Sequence, residues 1–174
     1  MTTATKTSPK SPARSPSKAP DAIKLLMQDH KDVKALFKQY DKLATADGKD
    51  DEKEQLAQQI CTMLIAHTTV EEELFYPAAR DVLGEDADLV DEADVEHASA
   101  KELIGQLQAS KPGEDDHYDA KVKVLGEYID HHVKEEEGEM FPKIKKTDLD
   151  LASLGEEMAA RKDELMSQQE AVPA

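Results

Sequence analysis

The sequence predicts an all-α protein: an up-down-up-down four-helix bundle with a short extra C-terminal helix and a disordered N-terminal tail. Apolar residues recur at the helical spacing of three and four along most of the 174 residues. No stretch of the sequence alternates with the period of a strand. Short segments rich in Gly, Pro and Asp separate four helical stretches of similar length, which is typical of antiparallel neighbours in a bundle.

The first 20 residues have a low-complexity composition. Ser-Pro recurs three times, each time with a basic residue soon after it, and the segment contains no acidic residue. Because it has too few apolar residues to bury, we expect residues 1–20 to form a disordered basic tail. The chain as a whole carries a net charge of −16, so the remainder is strongly acidic. Binding to DNA is therefore not expected, except for weak nucleic-acid contact through the tail.

Five helices are predicted after the tail. Turn segments at 46–51, 83–88 and 111–116 separate the bundle helices, and Pro20-Asp21 is a plausible helix start. Prolines at 77 and 142 end or kink the second and fourth helices. The bundle is assigned to residues 21–146, and a C-terminal helix and tail to residues 147–174. The expected helices cover about 21–46, 51–77, 88–110, 116–142 and 150–168.

The helical body contains an internal repeat. A shift of 67 residues superposes Asp29-His30 on Glu96-His97. A shift of 65 residues superposes HTTVEEELFYP, residues 67–77, on HVKEEEGEMFP, residues 132–142. The second copy begins within an adjacent histidine pair, and the repeat aligns His132 rather than His131 with His67. His132 is therefore the candidate functional residue of the pair.

Six polar residues interrupt the apolar stripes that should face the core. The first and third helices each carry a histidine in the stripe, and the second and fourth each carry a histidine with a glutamate one turn later. The histidines of the first and third helices lie about nine residues, or roughly 14 Å, from the starts of those helices. The histidines of the second and fourth helices lie ten residues, or roughly 15 Å, before the prolines. All six therefore converge near one level of an antiparallel bundle. They are His30, His67, Glu71, His97, His132 and Glu136.

This convergence predicts a metal site. Burial of two unpaired carboxylates costs several kcal/mol each. A pair of metal ions offsets that cost if each carboxylate bridges both ions and each ion receives two imidazoles. Nitrogen and oxygen ligands without sulfur favour iron or manganese, and zinc less firmly. The single cysteine, Cys61, excludes an internal disulfide and a thiolate zinc site.

The pattern resembles the hemerythrin family, in particular the bacterial hemerythrin-like HHE cation-binding domains. It consists of a histidine, His-x-x-x-Glu, a further histidine and a second His-x-x-x-Glu, with FYP and MFP after the paired motifs. The resemblance covers roughly residues 21–146. It implies a non-haem di-iron centre, two iron ions with an oxo or hydroxo bridge, that binds O₂, NO or peroxide. It also implies that the four histidines are terminal ligands and that Glu71 and Glu136 bridge the irons.

One position departs from the oxygen-carrying hemerythrins. Those proteins have a fifth histidine one turn after the third-helix ligand, and this chain has Lys101 there. The centre is expected to be more open, with Glu72 and Glu137 as candidate additional ligands. This departure disfavours reversible oxygen transport but does not decide among the other functions. The expected function is binding of O₂, NO or peroxide for sensing or a stress response. The alternatives are a di-iron oxidoreductase that consumes peroxide and an iron-storage or iron-responsive module, so the sequence leaves enzymatic activity open.

The sequence also predicts where in the cell the protein is located. It contains no apolar signal segment and no run of 18 apolar residues. We therefore expect a cytoplasmic protein without a membrane association. The sequence predicts no particular oligomeric state.

Overall fold

A computed structural model describes residues 20–46 and 48–170 of the chain. The described residues are helical and contain no strand, so the predicted all-α class is confirmed. Residues 1–19 lie outside the described residues, and the disordered tail therefore stays a prediction. The α-helices are α1 (Ala22–Ala44), α2 (Asp50–Val70), α3 (Tyr76–Leu83), α4 (Asp88–Gln108), α5 (Tyr118–Glu135), α6 (Phe141–Ile144) and α7 (Leu151–Glu170).

Two short π-helical turns extend the second and fourth bundle helices. Glu71–Phe75 joins α2 to α3, and Glu136–Met140 joins α5 to α6. In each turn a backbone N–H donates to the carbonyl five residues earlier, from Tyr76 to Glu71 and from Phe141 to Glu136. A proline follows each turn, and its missing N–H cannot continue the α-helical ladder. Both π turns begin at a predicted site glutamate, and such turns are frequent at functional sites.

The π turns change which side chains face the core. A regular helix places Leu74 on the buried stripe after Glu71, but Leu74 is half-buried in the structure. Phe75 and Tyr76 are buried instead, because the π turn accommodates one extra residue and rotates those that follow. The fully buried face therefore continues through Phe75 and Tyr76 beyond Glu71, with Leu74 at its edge.

Two apolar clusters pack on either side of the polar layer. The first contains Ile23, Leu26, Phe75, Met140 and Met158, among others. The second contains residues from the other ends of the same bundle helices, such as Val33, Leu64, Ile104 and Leu125. In α1, the layer residue His30 lies between Leu26 of one cluster and Val33 of the other. The clusters hold the helices together on both sides of the layer, which leaves its six polar side chains away from solvent.

Helix α7 packs against α1 and α2 and covers that side of the bundle. Its Gly155 lies so close to the chain before α1 that an added Cβ would collide with the backbone of Pro20 and Ala22. Arg161 donates to Glu73, with Nε 2.7 Å from Oε2, and Lys162 donates to Asp29. None of the helices in the described part of the chain is long and apolar enough to cross a membrane.

Candidate metal centre

The structure brings all six predicted site residues together in the buried layer. Their exposed fractions range from 0% for Glu71 to 7% for His67. The potential ligand atoms form two groups, and within each group all of them lie within 4.8 Å of one another. The first group is His30, His67, Glu71 and Glu136, and the second is Glu71, His97 and His132. Glu71 thus belongs to both groups.

Each carboxylate faces one imidazole from its own helix and one from another helix. For Glu71 these are His67 and His97, and for Glu136 they are His132 and His30. The distances from histidine Nε2 to carboxylate Oε2 are 3.2 Å for His67–Glu71, 3.3 Å for His97–Glu71, 3.5 Å for His132–Glu136 and 3.2 Å for His30–Glu136. Donor atoms about 2.1 Å from one ion lie roughly 3.0–3.4 Å apart, which matches these spacings.

Several of these inward atoms make no hydrogen bond among the described residues. They are His30 Nε2, both carboxylate oxygens of Glu71 and Glu136 Oε2. The 3.2 Å contact of His30 with Glu136 is within ion-pair distance but lacks the alignment of a hydrogen bond. Buried polar atoms are nearly always satisfied, so a cluster of such atoms requires an explanation such as an ion. The donor set fits a pair of metal ions.

Every outer histidine nitrogen contacts a carboxylate. The Nδ1 atoms of the four histidines lie 2.8 to 3.4 Å from acidic oxygens. Carboxylates in this position fix the tautomer and orientation of metal-binding imidazoles and raise their basicity. Glu72 and Glu137, suggested by the sequence as extra ligands, occupy two of these outer positions instead. The pairs are His30–Glu137, His67–Asp29, His97–Glu72 and His132–Glu96.

The pKa values of the two buried glutamates are shifted in opposite directions. Burial and the neighbouring Glu136 raise the pKa of Glu71 well above its usual value. Burial acts in the same direction on Glu136, but His132 and His30 outweigh it and lower the pKa of Glu136 to about 2. Two carboxylates in one buried layer cannot both ionise without a large cost, and a cation held between them would offset that cost.

The pKa values of the buried histidines are also shifted in opposite directions. Burial lowers the pKa of His67 to about 4 and keeps its imidazole neutral. Burial also acts to lower the pKa of His30, but the Glu136 carboxylate outweighs it and raises this pKa above its usual value. The neutral imidazole is the form that binds a metal.

A model of the hemerythrin HHE cation-binding domain matches residues 21–144. The chain belongs to this family. A solved structure of a hemerythrin HHE cation binding domain-containing protein from Mycobacterium kansasii is also similar. It shares 26% sequence identity with a TM-score of 0.69, and the match covers 86% of this chain and 89% of that one. None of the curated proteins compared with the chain matches it.

The hemerythrin domain contains one inward-facing residue that sequence reasoning missed. Tyr76 donates its hydroxyl hydrogen to Glu136, with 3.1 Å between Oη and Oε1, and Oη lies 3.2 Å from His97 Nε2. Its counterpart in the repeat is Phe141, whose ring stacks on His30 with 6.0 Å between centroids. Burial, together with Glu71 and Glu136, raises the pKa of Tyr76 well above its usual value. In the sequence, the hydroxyl is indicated only by the difference between FYP and MFP, where Tyr76 replaces the phenylalanine of the other copy.

Lys101, at the position of the fifth histidine of oxygen carriers, does not reach the buried layer. Its ammonium lies 2.6 Å from Glu72 Oε1, on the outer side of His97. Its side chain is 43% exposed. His131 is also outside the layer and is 65% exposed, as the repeat predicted. The hemerythrin domain thus has four inward histidines rather than five among the described residues.

Proposed function

We propose that this domain holds two iron ions and binds O₂, NO or peroxide for sensing or a stress response. The observation that carries the proposal is the buried layer itself. Four imidazoles point Nε2 toward the interior, where two carboxylates face them. Both oxygens of Glu71 and Oε2 of Glu136 make no hydrogen bond among the described residues. On the outer side, each imidazole contacts a further carboxylate through Nδ1. In this assignment His30 and His67 would hold one ion, His97 and His132 would hold the other, and both glutamates would contribute carboxylate oxygens to the pair.

The ligand types support iron. Imidazole and carboxylate donors without sulfur suit iron, and paired carboxylates in a bundle core are an established way to hold two irons. When bound, such an iron pair supplies reversible oxidation and a place for O₂, NO or peroxide to coordinate. The protein holds the donors in place, excludes bulk water through the two apolar clusters, and positions the Tyr76 hydroxyl against Glu136.

The size of the access route supports a small ligand. A crevice of about 10 Å³ reaches the layer between α4 and α5. This volume is close to that needed for a single water molecule, which favours a small ligand over an organic substrate. The crevice is lined by Leu89, Ala93, Glu96, His132, Glu135, Glu136 and Met140.

One observation favours peroxide consumption as a second candidate function. The Tyr76 phenol lies within hydrogen-bond distance of both His97 and Glu136, so a redox-active group stands beside the metal donors. A sensor does not require such a group, whereas an oxidoreductase can use it as a one-electron donor.

The reaction with each ligand separates these functions. Metal-free protein is loaded anaerobically with ferrous iron and then exposed separately to O₂, NO and hydrogen peroxide while visible spectra are recorded. A stable O₂ band that reverses under vacuum, or a stable NO band, supports a binding role. Rapid bleaching with continuous loss of peroxide supports the oxidoreductase. Spectra that none of the three ligands changes contradict both functions. His131→Ala serves as the control and should preserve the spectra, whereas His132→Ala should abolish them.

A further inference from the structure

A second group of potential cation ligands lies on the surface beside the buried layer. His131 Nε2 is 3.4 Å from Glu96 Oε1 and 3.2 Å from Glu135 Oε1. One atom from each of these three residues lies within 4.8 Å of the others. The imidazole is exposed, whereas both carboxylates are half-buried. One nitrogen and two oxygen donors at this spacing suit a divalent transition-metal ion.

This surface group borders the crevice between α4 and α5, because two of its three residues line that crevice. Glu96 and Glu135 line the crevice together with the buried His132 and Glu136. Glu96 contacts both sides, because its Oε1 faces His131 while its Oε2 lies 2.8 Å from His132 Nδ1. Glu136 is 1% exposed, and its Oε2 has no hydrogen-bond partner. The crevice thus places two half-buried surface carboxylates beside His132 and the unsatisfied Glu136 of the layer.

The repeat shows that this surface group is additional to the core pattern. A shift of 65 residues places His131 on Ala66 and Glu135 on Val70, which are 0% and 1% exposed. Val70 packs in an apolar cluster with Met158 of α7. The groove beside the first half of the bundle is therefore closed by apolar packing under α7. Cation ligands occur at the equivalent positions of the other half, where a crevice reaches the layer.

The charge around the crevice favours a cation. Glu96 and Glu135 place two carboxylates beside one another here, with the His131 imidazole 3.4 Å and 3.2 Å from their Oε1 atoms. A divalent cation between these carboxylates would offset their mutual repulsion. A concentration of one sign of charge at a narrow opening also raises the local cation concentration and the association rate.

We propose that Glu96, His131 and Glu135 form a shallow divalent-cation site through which ferrous iron reaches the buried centre. The inference rests on the proposed di-iron function. The crevice is too narrow for a hydrated ion, so iron must lose water before it moves inward. The three surface donors replace that water, and His132 and Glu136 receive the ion at the inner end. The step is ligand exchange: bonds from iron to water break, bonds to the protein donors form, and the oxidation state of iron does not change.

The rate of iron loading tests the site. Metal-free wild type, His131→Ala and Glu135→Gln are mixed anaerobically with ferrous iron in a stopped-flow instrument, and iron per chain is measured after completion. His117→Ala and Glu127→Gln, at exposed positions in or just before α5, are the matched controls. We expect both test variants to reach the wild-type iron content but to load roughly tenfold more slowly at low ionic strength. Raising the salt concentration should reduce the deficit of Glu135→Gln.

Each other result is informative. Loading of both test variants at the rate of the controls overturns the surface site while leaving the di-iron centre intact. A final iron content of His131→Ala below that of wild type also overturns it, because the residue would then be a permanent ligand. A wild-type chain that takes up no iron overturns the proposed function and this inference together. Circular dichroism establishes that each variant is folded.

A direct binding measurement gives a second, independent readout. Iron-loaded protein is titrated with Mn²⁺, and free Mn²⁺ is followed by electron paramagnetic resonance. Wild type and His117→Ala should bind one additional Mn²⁺. His131→Ala and Glu135→Gln should bind this ion at least tenfold more weakly, because each variant lacks one of the three ligands. Equal Mn²⁺ binding by all four proteins contradicts the proposed site.

Discussion

Substitution of Glu71 by methionine should stabilise the metal-free protein and destabilise the iron-loaded protein relative to wild type. Glu71 is 0% exposed, and neither of its carboxylate oxygens has a hydrogen-bond partner among the described residues. A buried polar group left unsatisfied costs about 1–3 kcal/mol. Methionine has a similar volume, is flexible and carries no such group. The free energy of unfolding of the metal-free variant should therefore rise by about 1–3 kcal/mol.

The sign of the effect should reverse with iron. Iron bound to the native state alone stabilises wild type by about 2.7 kcal/mol at a free concentration one hundred times the dissociation constant. Without a bridging carboxylate, the variant should gain much less. Urea unfolding and thermal melts with and without iron measure both effects, and each kcal/mol corresponds to about 2–4 °C in Tm for a chain of this size.

The exposed Glu102 in α4 provides the matched control. Glu102→Met should change stability by less than about 0.5 kcal/mol in either condition. If metal-free Glu71→Met is less stable than metal-free wild type, the carboxylate is a structural group, and the reasoning from its unsatisfied oxygens is wrong.

Three further predictions concern other parts of the structure. Lys162→Met should lower the free energy of unfolding of the metal-free protein at pH 7 by about 1.5–3 kcal/mol, because Asp29 loses a charged hydrogen-bond partner. Burial acts to raise the pKa of Asp29, but hydrogen bonds from His67 and Lys162 outweigh it and lower this pKa. The ionised Asp29 therefore stabilises the folded protein above the pKa that it has in the unfolded chain. This stabilisation is lost as the pH falls through its pKa in the folded protein. Urea unfolding from pH 7 downward should therefore show a smaller acid-dependent loss in the variant, and an unchanged pH profile would contradict this. Tyr76→Phe should keep two irons per chain but weaken iron binding about 10–100-fold in competition with a chelator, and unchanged affinity would remove Tyr76 from the site. Gly155→Ala should lower the free energy of unfolding by about 1–3 kcal/mol through its collision with the chain before α1, whereas Gly105→Ala, with open space around its Cβ, should raise it by about 0.5–1 kcal/mol.

Much of the site was predictable because the repeat and the helical period identify the same residues. His132 was distinguished from the adjacent His131 by both criteria, and the structure buries the first and exposes the second. The helix boundaries were also close, since turn residues such as Gly48 and Gly113, both with positive φ, mark where the chain reverses.

Tyr76 was missed because the helical period fails at that point. Five residues after Glu71, a regular α-helix points a side chain well away from the glutamate. The π turn at Glu71–Phe75 removes this difference and brings the hydroxyl to the layer. Sequence shows that Pro77 disturbs the helix but not whether a kink or a π turn results.

The roles of the outer carboxylates depend on contacts between helices. Asp29 precedes His30 in the chain but contacts His67, and Glu72 follows Glu71 but contacts His97. Spacing within one helix contains no information about such partners. The same limit applies to Lys162, because only the packing of α7 against α1 brings it to Asp29.

The most direct test of the central claim is the iron content per chain of wild type, His131→Ala and His132→Ala after anaerobic loading and removal of loosely bound metal. The proposal predicts two irons per chain for wild type and His131→Ala, and a loss of iron from His132→Ala. Wild type that retains one zinc or no metal, or equal losses from both variants, would contradict a di-iron centre built on the inward-facing histidines.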